Sequence, residues 1–388
     1  MIDVSDAAFY RDPHAELARL RAETPVYWSE PAQMWVLTRH AHVMEASRDQ
    51  ARFCSRKGVL LGDRQREISE GQSILYMDPP DHVHYRRIVL PQFHRRRVSQ
   101  LHERIRQLTV ALLDAIAPDE PFDVVEQLAV PLPLALITEL LGVPAEPEGM
   151  RRLREWSDVA MRAAVDPSDE NLIAAMDIAV YFQDLLDRRR AEGGDDLIVD
   201  LVHAEADGKA LSDFEIVGFC ISLLVAGNET TRNLIAGGLR ALAEHPDQAA
   251  LLRADPQLIP TGVEEMLRWV SPFSSFARTA TEEVKLDGTT IREGDYVLMM
   301  YLSANRDETV FGPTADRFDV TRNPNPHLSF GHGGHYCLGA PLARMEMQVV
   351  LTEVLTRFSG LRLAGEPRRT ESAFVNGLDA LPMVFESS

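Results

Sequence analysis

A mainly α-helical fold with a minor antiparallel β part is what this 388-residue sequence predicts, and three observations carry the reading. Apolar residues recur at helical spacing along most of the chain. Strand-like patterning is confined to about residues 25–38, 274–301 and 361–386. No strand–helix–strand alternation of the kind that builds a parallel doubly wound sheet is present. Without a flexible linker, an internal repeat or a low-complexity tract, a single domain over residues 1–388 is expected.

The elements follow in order. A proline opens a short helix over 13–23, and runs at 26–28 and 34–38, split by Glu30-Pro31, read as a hairpin. A helix over 39–49 precedes an irregular loop, 58–73, that mixes glycine, charge and short apolar runs and is placed to cover a ligand. Asp78-Pro79-Pro80-Asp81 forms a turn feeding a helix that carries His82 and Arg86 on one face, four residues apart. Helical patterns continue over 98–116, 128–141, 148–165 and 171–192. The capping box Ser212-Asp213-Phe214-Glu215 starts a helix to about residue 245, roughly 50 Å long at 1.5 Å per residue. A further helix covers 256–270. Short strands are expected at 274–279, 284–286 and 296–301, then a long coil over 305–326, a helix over 341–358, and a strand-like tail with a turn at Asn376-Gly377.

Composition removes several functions. Hydrophobic residues make up 45% and charged residues 26%, ordinary values for a globular protein. The net charge of -19 argues against nucleic acid or an anionic membrane surface as the main partner. Three widely spaced cysteines, Cys54, Cys220 and Cys337, make no disulfide framework, so a cytoplasmic setting is expected. Residues 1–6 are acidic and lack signal-peptide character, and no run approaches the ~18 apolar residues of a membrane span, so no membrane anchor is expected.

The stretch Phe330-Gly331-His332-Gly333-Gly334-His335-Tyr336-Cys337-Leu338-Gly339 ends on a cysteine just before a helix whose first turn holds Pro341. Unpaired N–H groups and partial positive charge there favour an ionised sulfur, and the glycines let the backbone wrap it. Three readings of the loop are open: a thiolate presenter, a zinc site from His327, His332, His335 and Cys337, and a tight turn around an inert buried cysteine.

Inside the long helix stands Ala226-Gly227-Asn228-Glu229-Thr230-Thr231. A mid-helix glycine and a threonine that bonds back to the i−4 carbonyl predict local widening or a kink, and Glu229 beside Thr230 offers an acid and an alcohol for moving protons. The competing reading is helix packing through glycine, with Glu229 solvated. Glu265 and Arg268 sit three apart on the next helix, a pairing that is common and by itself proves nothing.

Taken together, the acid–alcohol helix, Glu265-x-x-Arg268, Arg317-Phe318 and the cysteine loop resemble, in order and interval, the cytochrome P-450 superfamily, soluble bacterial type. The resemblance spans nearly the whole chain, and the Phe330-to-Gly339 loop matches at every defining position. It implies the cytochrome P-450 fold, a triangular helical domain around a buried haem b (iron protoporphyrin IX), with dioxygen as co-substrate. It implies Cys337 as iron ligand. His82, Arg86, Arg278 and His335 would pair the haem propionates, with Phe330, Gly331 and Gly339 part of the haem loop. Glu265, Arg268 and Arg317 would form a buried ion triad bracing that loop. Ala226 and Gly227 would line the oxygen site, with Glu229 and Thr230 guiding protons. The acid–alcohol pair favours an electron-driven monooxygenase over the alternative, a peroxide-driven or non-hydroxylating enzyme on the same fold.

Positions matching the family's pocket are apolar: Leu61, Leu75, Leu223, Phe273, Phe276, Phe374 and Val375. They imply a terpenoid-, steroid- or fatty-acid-like substrate. Arg95, Arg96 and Arg97, a basic run in an acidic protein, are expected to dock an acidic ferredoxin supplied by a ferredoxin reductase, the enzyme itself being a monomer. Solvated surface charge is the competing reading for that run. Cys54 and Cys220 read as core fillers.

Overall fold

The computed structural model describes residues 2–65, 73–144, 147–165 and 169–387. Its architecture is the expected one, helices with small sheets. The organising element is the helix Asp213–Glu244, 32 residues long. Its start is set by local chemistry: the Ser212 hydroxyl accepts from Glu215 N–H while the Glu215 carboxylate accepts from Ser212 N–H. The helix packs against Pro131–Leu140, Pro147–Val165, Asp169–Glu192, Ile259–Val270 and Ala340–Arg357.

This helix joins two apolar cores without being apolar throughout. Ile216, Val217, Phe219, Cys220 and Leu224 belong to one core with Tyr85, Phe93, Ile137 and Phe182. Leu234, Ile235, Leu239 and Leu242 belong to another with Leu128, Met266 and Val350. Between them lies the small and polar stretch from Ala226 to Asn233. Ala226 is exposed there although helices surround it, whereas Asn228, Glu229, Thr231 and Asn233 are buried. The exposure of Ala226 midway along a central helix marks open space beside it.

The main sheet has the order Val26–Ser29, Met34–Leu37, Tyr296–Met300, Ser275–Ala280, Phe53–Cys54. The expected hairpin is present, with Tyr27 opposite Val36. The β part is not wholly antiparallel, because Tyr296–Met300 runs parallel to Met34–Leu37, with Leu298 opposite Val36. Every residue of Tyr296–Met300 is buried, and an unbroken apolar run of this kind carries no alternation from which a partner or direction can be read.

Other boundaries moved. The expected helix over 98–116 divides into Arg95–Gln100 and His102–Asp114. The long coil contains the helical turn Glu308–Phe311. Helices at Leu197–His203 and Pro246–Ala254 were not anticipated; the first is capped by the Asp196 side chain and the second opens on a proline. The central helix runs on through Gly227 without a break in its helical assignment. Of the irregular loop over 58–73, residues 66–72 lie outside the described residues. Among the described residues no helix is long and apolar enough to cross a membrane.

Candidate haem-thiolate site

The Cys337 loop is built by backbone conformation first. Gly331 and Gly333 have φ of +69° and +72°, the left-handed region that other residues resist. A Cβ on Gly333 would lie 2.5 Å from Ser47 O, and one on Gly334 would lie 2.4 Å from the Gln50 amide oxygen. These two glycines therefore serve the close seating of the loop against the end of helix His40–Arg48. The Cys337 N–H donates to Phe330 O at 2.9 Å and closes the loop. Burial pushes the Cys337 thiol up, against the N–H groups of Gly339 and Ala340 and the cations Arg86 and Arg344, which favour the thiolate. The helix Ala340–Arg357 follows at once, with Pro341 in its first turn.

Around this sulfur lies a set of basic groups with too few anions. Arg278, on an interior strand, is buried, and among the described residues its side chain donates only to the adjacent Ala277 carbonyl at 2.7 Å. Burial holds it below the usual arginine range. The His82 ring stacks on His335 with centroids 4.0 Å apart, and His82 Nε2 has no hydrogen-bond partner among the described residues. Burial and the neighbouring Arg86 and Arg278 push His82 down to about 4 and depress His335 as well. Arg86 donates to Tyr336 O at 2.6 Å, and His335 Nε2 lies 3.1 Å from Ser55 Oγ. The nearby carboxylate, Asp78, is occupied by the N–H groups of Ser55 and Arg56 and by the Arg56 guanidinium. Buried cations without partners are costly, so a dianionic group beside Cys337 is what this arrangement fits. The donor set suits haem, with a thiolate for iron and basic groups for two carboxylates.

The zinc alternative has no geometry. His327 pairs with Glu264 and His335 with Ser55, and among the described residues no group of three or more His, Cys, Asp or Glu side chains converges on a metal position.

The expected Glu265–Arg268 pair is formed and buried, and the third guanidinium that joins it is a different arginine. Arg268 donates from Nε and Nη2 to the two Glu265 oxygens, both at 2.7 Å, and neither side chain is exposed. The third guanidinium on Glu265 is Arg322, with Nε at 3.1 Å, and not the expected Arg317. Arg317 is exposed and contributes only its carbonyl, which accepts from Arg268 at 2.8 Å and Arg322 at 3.2 Å. Both arginines lie in the coil before the loop, and helical periodicity cannot say which one a coil turns inward. Asn325 Nδ2 and Asp319 N–H complete the Glu265 shell.

On the central helix, Thr230 Oγ1 donates to Ala226 O at 2.6 Å, the expected back-bond. Gly227 faces Ile137, whose Cδ1 would stand 2.7 Å from an added Cβ, so its side of the helix serves packing while Ala226 faces open space. Glu229 is buried, not solvated, and burial raises it above the usual carboxylate range. It accepts from Arg232 Nη1 at 3.0 Å. That same guanidinium lies 4.0 Å from Asp158 and 3.8 Å from Asp379, both partly exposed. Arg232 was not singled out by sequence, although its i+3 spacing from Glu229 was the available signal.

Of the apolar pocket positions, four come together. Phe273 stacks on Phe374 at 4.5 Å, Phe276 meets both edge-on at 5.2 Å, and Val375 pairs with Phe273 through a β-bridge. Leu223 lies on the central helix one turn before Gly227. Leu75 is half-buried in the turn Ile74–Tyr76, whose capping Ser73 hydroxyl is 2.9 Å from Ser222 Oγ of the central helix. Leu61 packs instead against the sheet core containing Tyr296 and Ala277.

The arginine run occupies the first turn of Arg95–Gln100, and Val98 of that helix packs with Leu342 of the helix after Cys337. All three arginines are exposed, but Arg97 is paired with Asp200, leaving Arg95 and Arg96 without an ion pair among the described residues. Cys54 and Cys220 are free and buried.

A helical fold around a central helix, with a cysteine loop beside a cationic cradle, defines a protein built to hold a dianionic group next to a sulfur. A family model for cytochrome P450 matches residues 174–376. Linalool 8-monooxygenase of Pseudomonas putida is 36% identical, over 96% of this chain and 95% of its own. The methyl-branched lipid omega-hydroxylase of Mycobacterium tuberculosis is 37% identical, over 99% of this chain and 91% of its own. The solved structure of CYP109E1 from Bacillus megaterium in complex with testosterone is similar at a TM-score of 0.86 and 34% identity, over 96% of this chain and 99% of that one. The chain belongs to the cytochrome P450 family, and is an oxidoreductase of its monooxygenase type.

Proposed function

We propose that this protein hydroxylates an apolar small molecule of terpenoid, steroid or fatty-acid type, taking electrons from a ferredoxin that a ferredoxin reductase keeps reduced. Substrate, dioxygen, two electrons and two protons yield the alcohol and water. Haem b, when bound, supplies dioxygen reduction at iron. Cys337 would ligate the iron, and His82, Arg86, Arg278 and His335 would hold the propionates. The observation that carries the reading is the buried acid Glu229 beside Thr230, at the gap between the two apolar cores. Burial keeps a proton on Glu229 to higher pH, and Thr230 stands next to it on the helix, so protons can be handed inward from a site that bulk water does not flood. The Phe273–Phe276–Phe374 cluster supports an apolar substrate, as do relatives named for linalool and for a methyl-branched lipid.

Exposed Arg95 and Arg96, on the side of the helix following Cys337, support docking of an acidic ferredoxin. The test is turnover of a lipid and terpenoid panel, driven in parallel by a ferredoxin couple and by hydrogen peroxide. Product with the ferredoxin couple is expected; product with peroxide alone would refute the electron-driven reading. An absence of any haem spectral shift across the panel would refute the substrate class. Replacing Arg95 and Arg96 by Ala should slow reduction by ferredoxin and flatten its salt dependence; an unchanged rate would refute the docking site.

A further inference from the structure

Glu264 and Glu265 are neighbours on the helix Ile259–Val270 but point to different work. Glu265 faces the coil through Arg268, Arg322 and Asn325. Glu264 faces the cysteine side. It accepts from Arg344 Nε at 2.6 Å and Nη2 at 2.8 Å, a two-pronged pairing with the helix that follows Cys337. His327 Nε2 is 3.0 Å from the same carboxylate. Because His327 Nδ1 accepts from Ser329 N–H at 3.2 Å, its ring proton lies on Nε2 and the ring is a neutral donor to Glu264. Arg344 in turn lies over the Phe330 ring at 4.5 Å and donates to Tyr336 Oη at 3.2 Å. Phe330 and Tyr336 are the residues whose backbones close and precede the Cys337 turn. The arrangement thus ties one helix, the incoming coil and the outgoing helix to both ends of the loop, and sets a partly neutralised cation against Phe330 and Tyr336.

We infer that Glu264, His327 and Arg344 form a second brace, separate from the Glu265 cluster, that positions Phe330 and Tyr336 around Cys337 and sets how much positive charge the thiolate feels. The roles are positioning roles, and they deepen the proposed function, since they rest on Cys337 being the iron ligand. Arg344 lies over the Phe330 ring and bonds the Tyr336 hydroxyl, on residues that flank Cys337, and Glu264 offsets its charge.

The experiment uses the haem-loaded enzyme and reads two properties besides activity: the ferric–ferrous midpoint potential, and the fraction of the reduced carbon-monoxide complex showing the thiolate-type band. Glu264→Gln leaves Arg344 unopposed and should raise the potential. Arg344→Gln removes the cation and should lower it. The double variant should return toward the wild-type potential. Both single variants should lose thiolate-type band as the brace loosens. Arg344→Lys, which keeps the charge but loses the fork and the ring contact, should keep the potential while losing band. Potentials that move in the same direction in the two Gln variants, or do not move, would overturn the electrostatic role; an unchanged band fraction in all of them would overturn the brace. Retention of the thiolate-type band by Cys337→Ala would instead defeat the underlying assignment of the ligand.

Discussion

Arg322→Ala should be among the more damaging single changes in this protein, and Arg317→Ala among the mildest. Arg322 donates to Glu265 Oε2 at 3.1 Å, to Thr314 O at 2.8 Å, to Arg317 O at 3.2 Å, and to Phe311 O and Thr314 Oγ1 at 3.3 Å. Its side chain is 8% exposed and that of Glu265 is 0% exposed, so water cannot replace these bonds cheaply. Removing one partner of such a buried pair costs ~3 to 5 kcal/mol, of which stranded acceptors account for ~1 to 3 kcal/mol each before relaxation. Arg268 still holds Glu265 with two bonds, which places the expected loss near the lower figure, ~3 kcal/mol. Arg317→Ala keeps the carbonyl that Arg268 and Arg322 use and removes only an exposed side chain, for an expected change within ~0.5 kcal/mol. Urea unfolding followed by circular dichroism, with haem retention followed in parallel, measures both. A midpoint for Arg317→Ala as low as that for Arg322→Ala, or lower, would refute the assignment of the third guanidinium.

The remaining predictions follow the same logic. Glu346 is buried, its Oε2 has no hydrogen-bond partner among the described residues, and burial pushes its carboxyl from 4.5 to about 8. Between those values the unfolded chain has released a proton that the native protein keeps, so stability should fall as pH rises from 4.5 to 8, by on the order of 3 kcal/mol at pH 7. Glu346→Gln should flatten that slope, and an unaltered pH profile of the urea midpoint would refute the assignment. Gly333→Ala should destabilise the loop by at least ~1 to 3 kcal/mol, because the φ of +72° and the 2.5 Å approach to Ser47 O both oppose a Cβ; normal haem loading at the wild-type melting temperature would count against this. Glu229→Gln should slow substrate-saturated turnover without weakening the substrate-induced haem spectral shift. Arg232→Gln, which removes the cation beside Glu229, should move the alkaline limb of the turnover pH profile upward, and a limb that stays in place would exclude Glu229 as its source.

Much of this protein was determined locally and could be read in the chain. The Ser212–Glu215 capping box starts the central helix because both partners lie within one turn. The Phe330-to-Gly339 loop needs its glycines for backbone angles and close approach, and Cys337 is marked by its place before Pro341. The Glu265–Arg268 pair is a one-turn spacing on a helix. Tertiary structure alone decided what depends on separated segments meeting. Nothing local distinguishes Arg322 from Arg317, because the path of a coil is chosen by the buried carboxylate waiting for it. The parallel pairing of Met34–Leu37 with Tyr296–Met300 joins strands with no turn between them to set direction. The sequence leaves Glu229 between a proton-moving acid and a solvated residue on a packing helix. Glu229 is buried where the fold brings Arg232 within 3.0 Å, while Asp158 and Asp379 compete for that guanidinium and, with burial, favour the protonated acid inside the central helix.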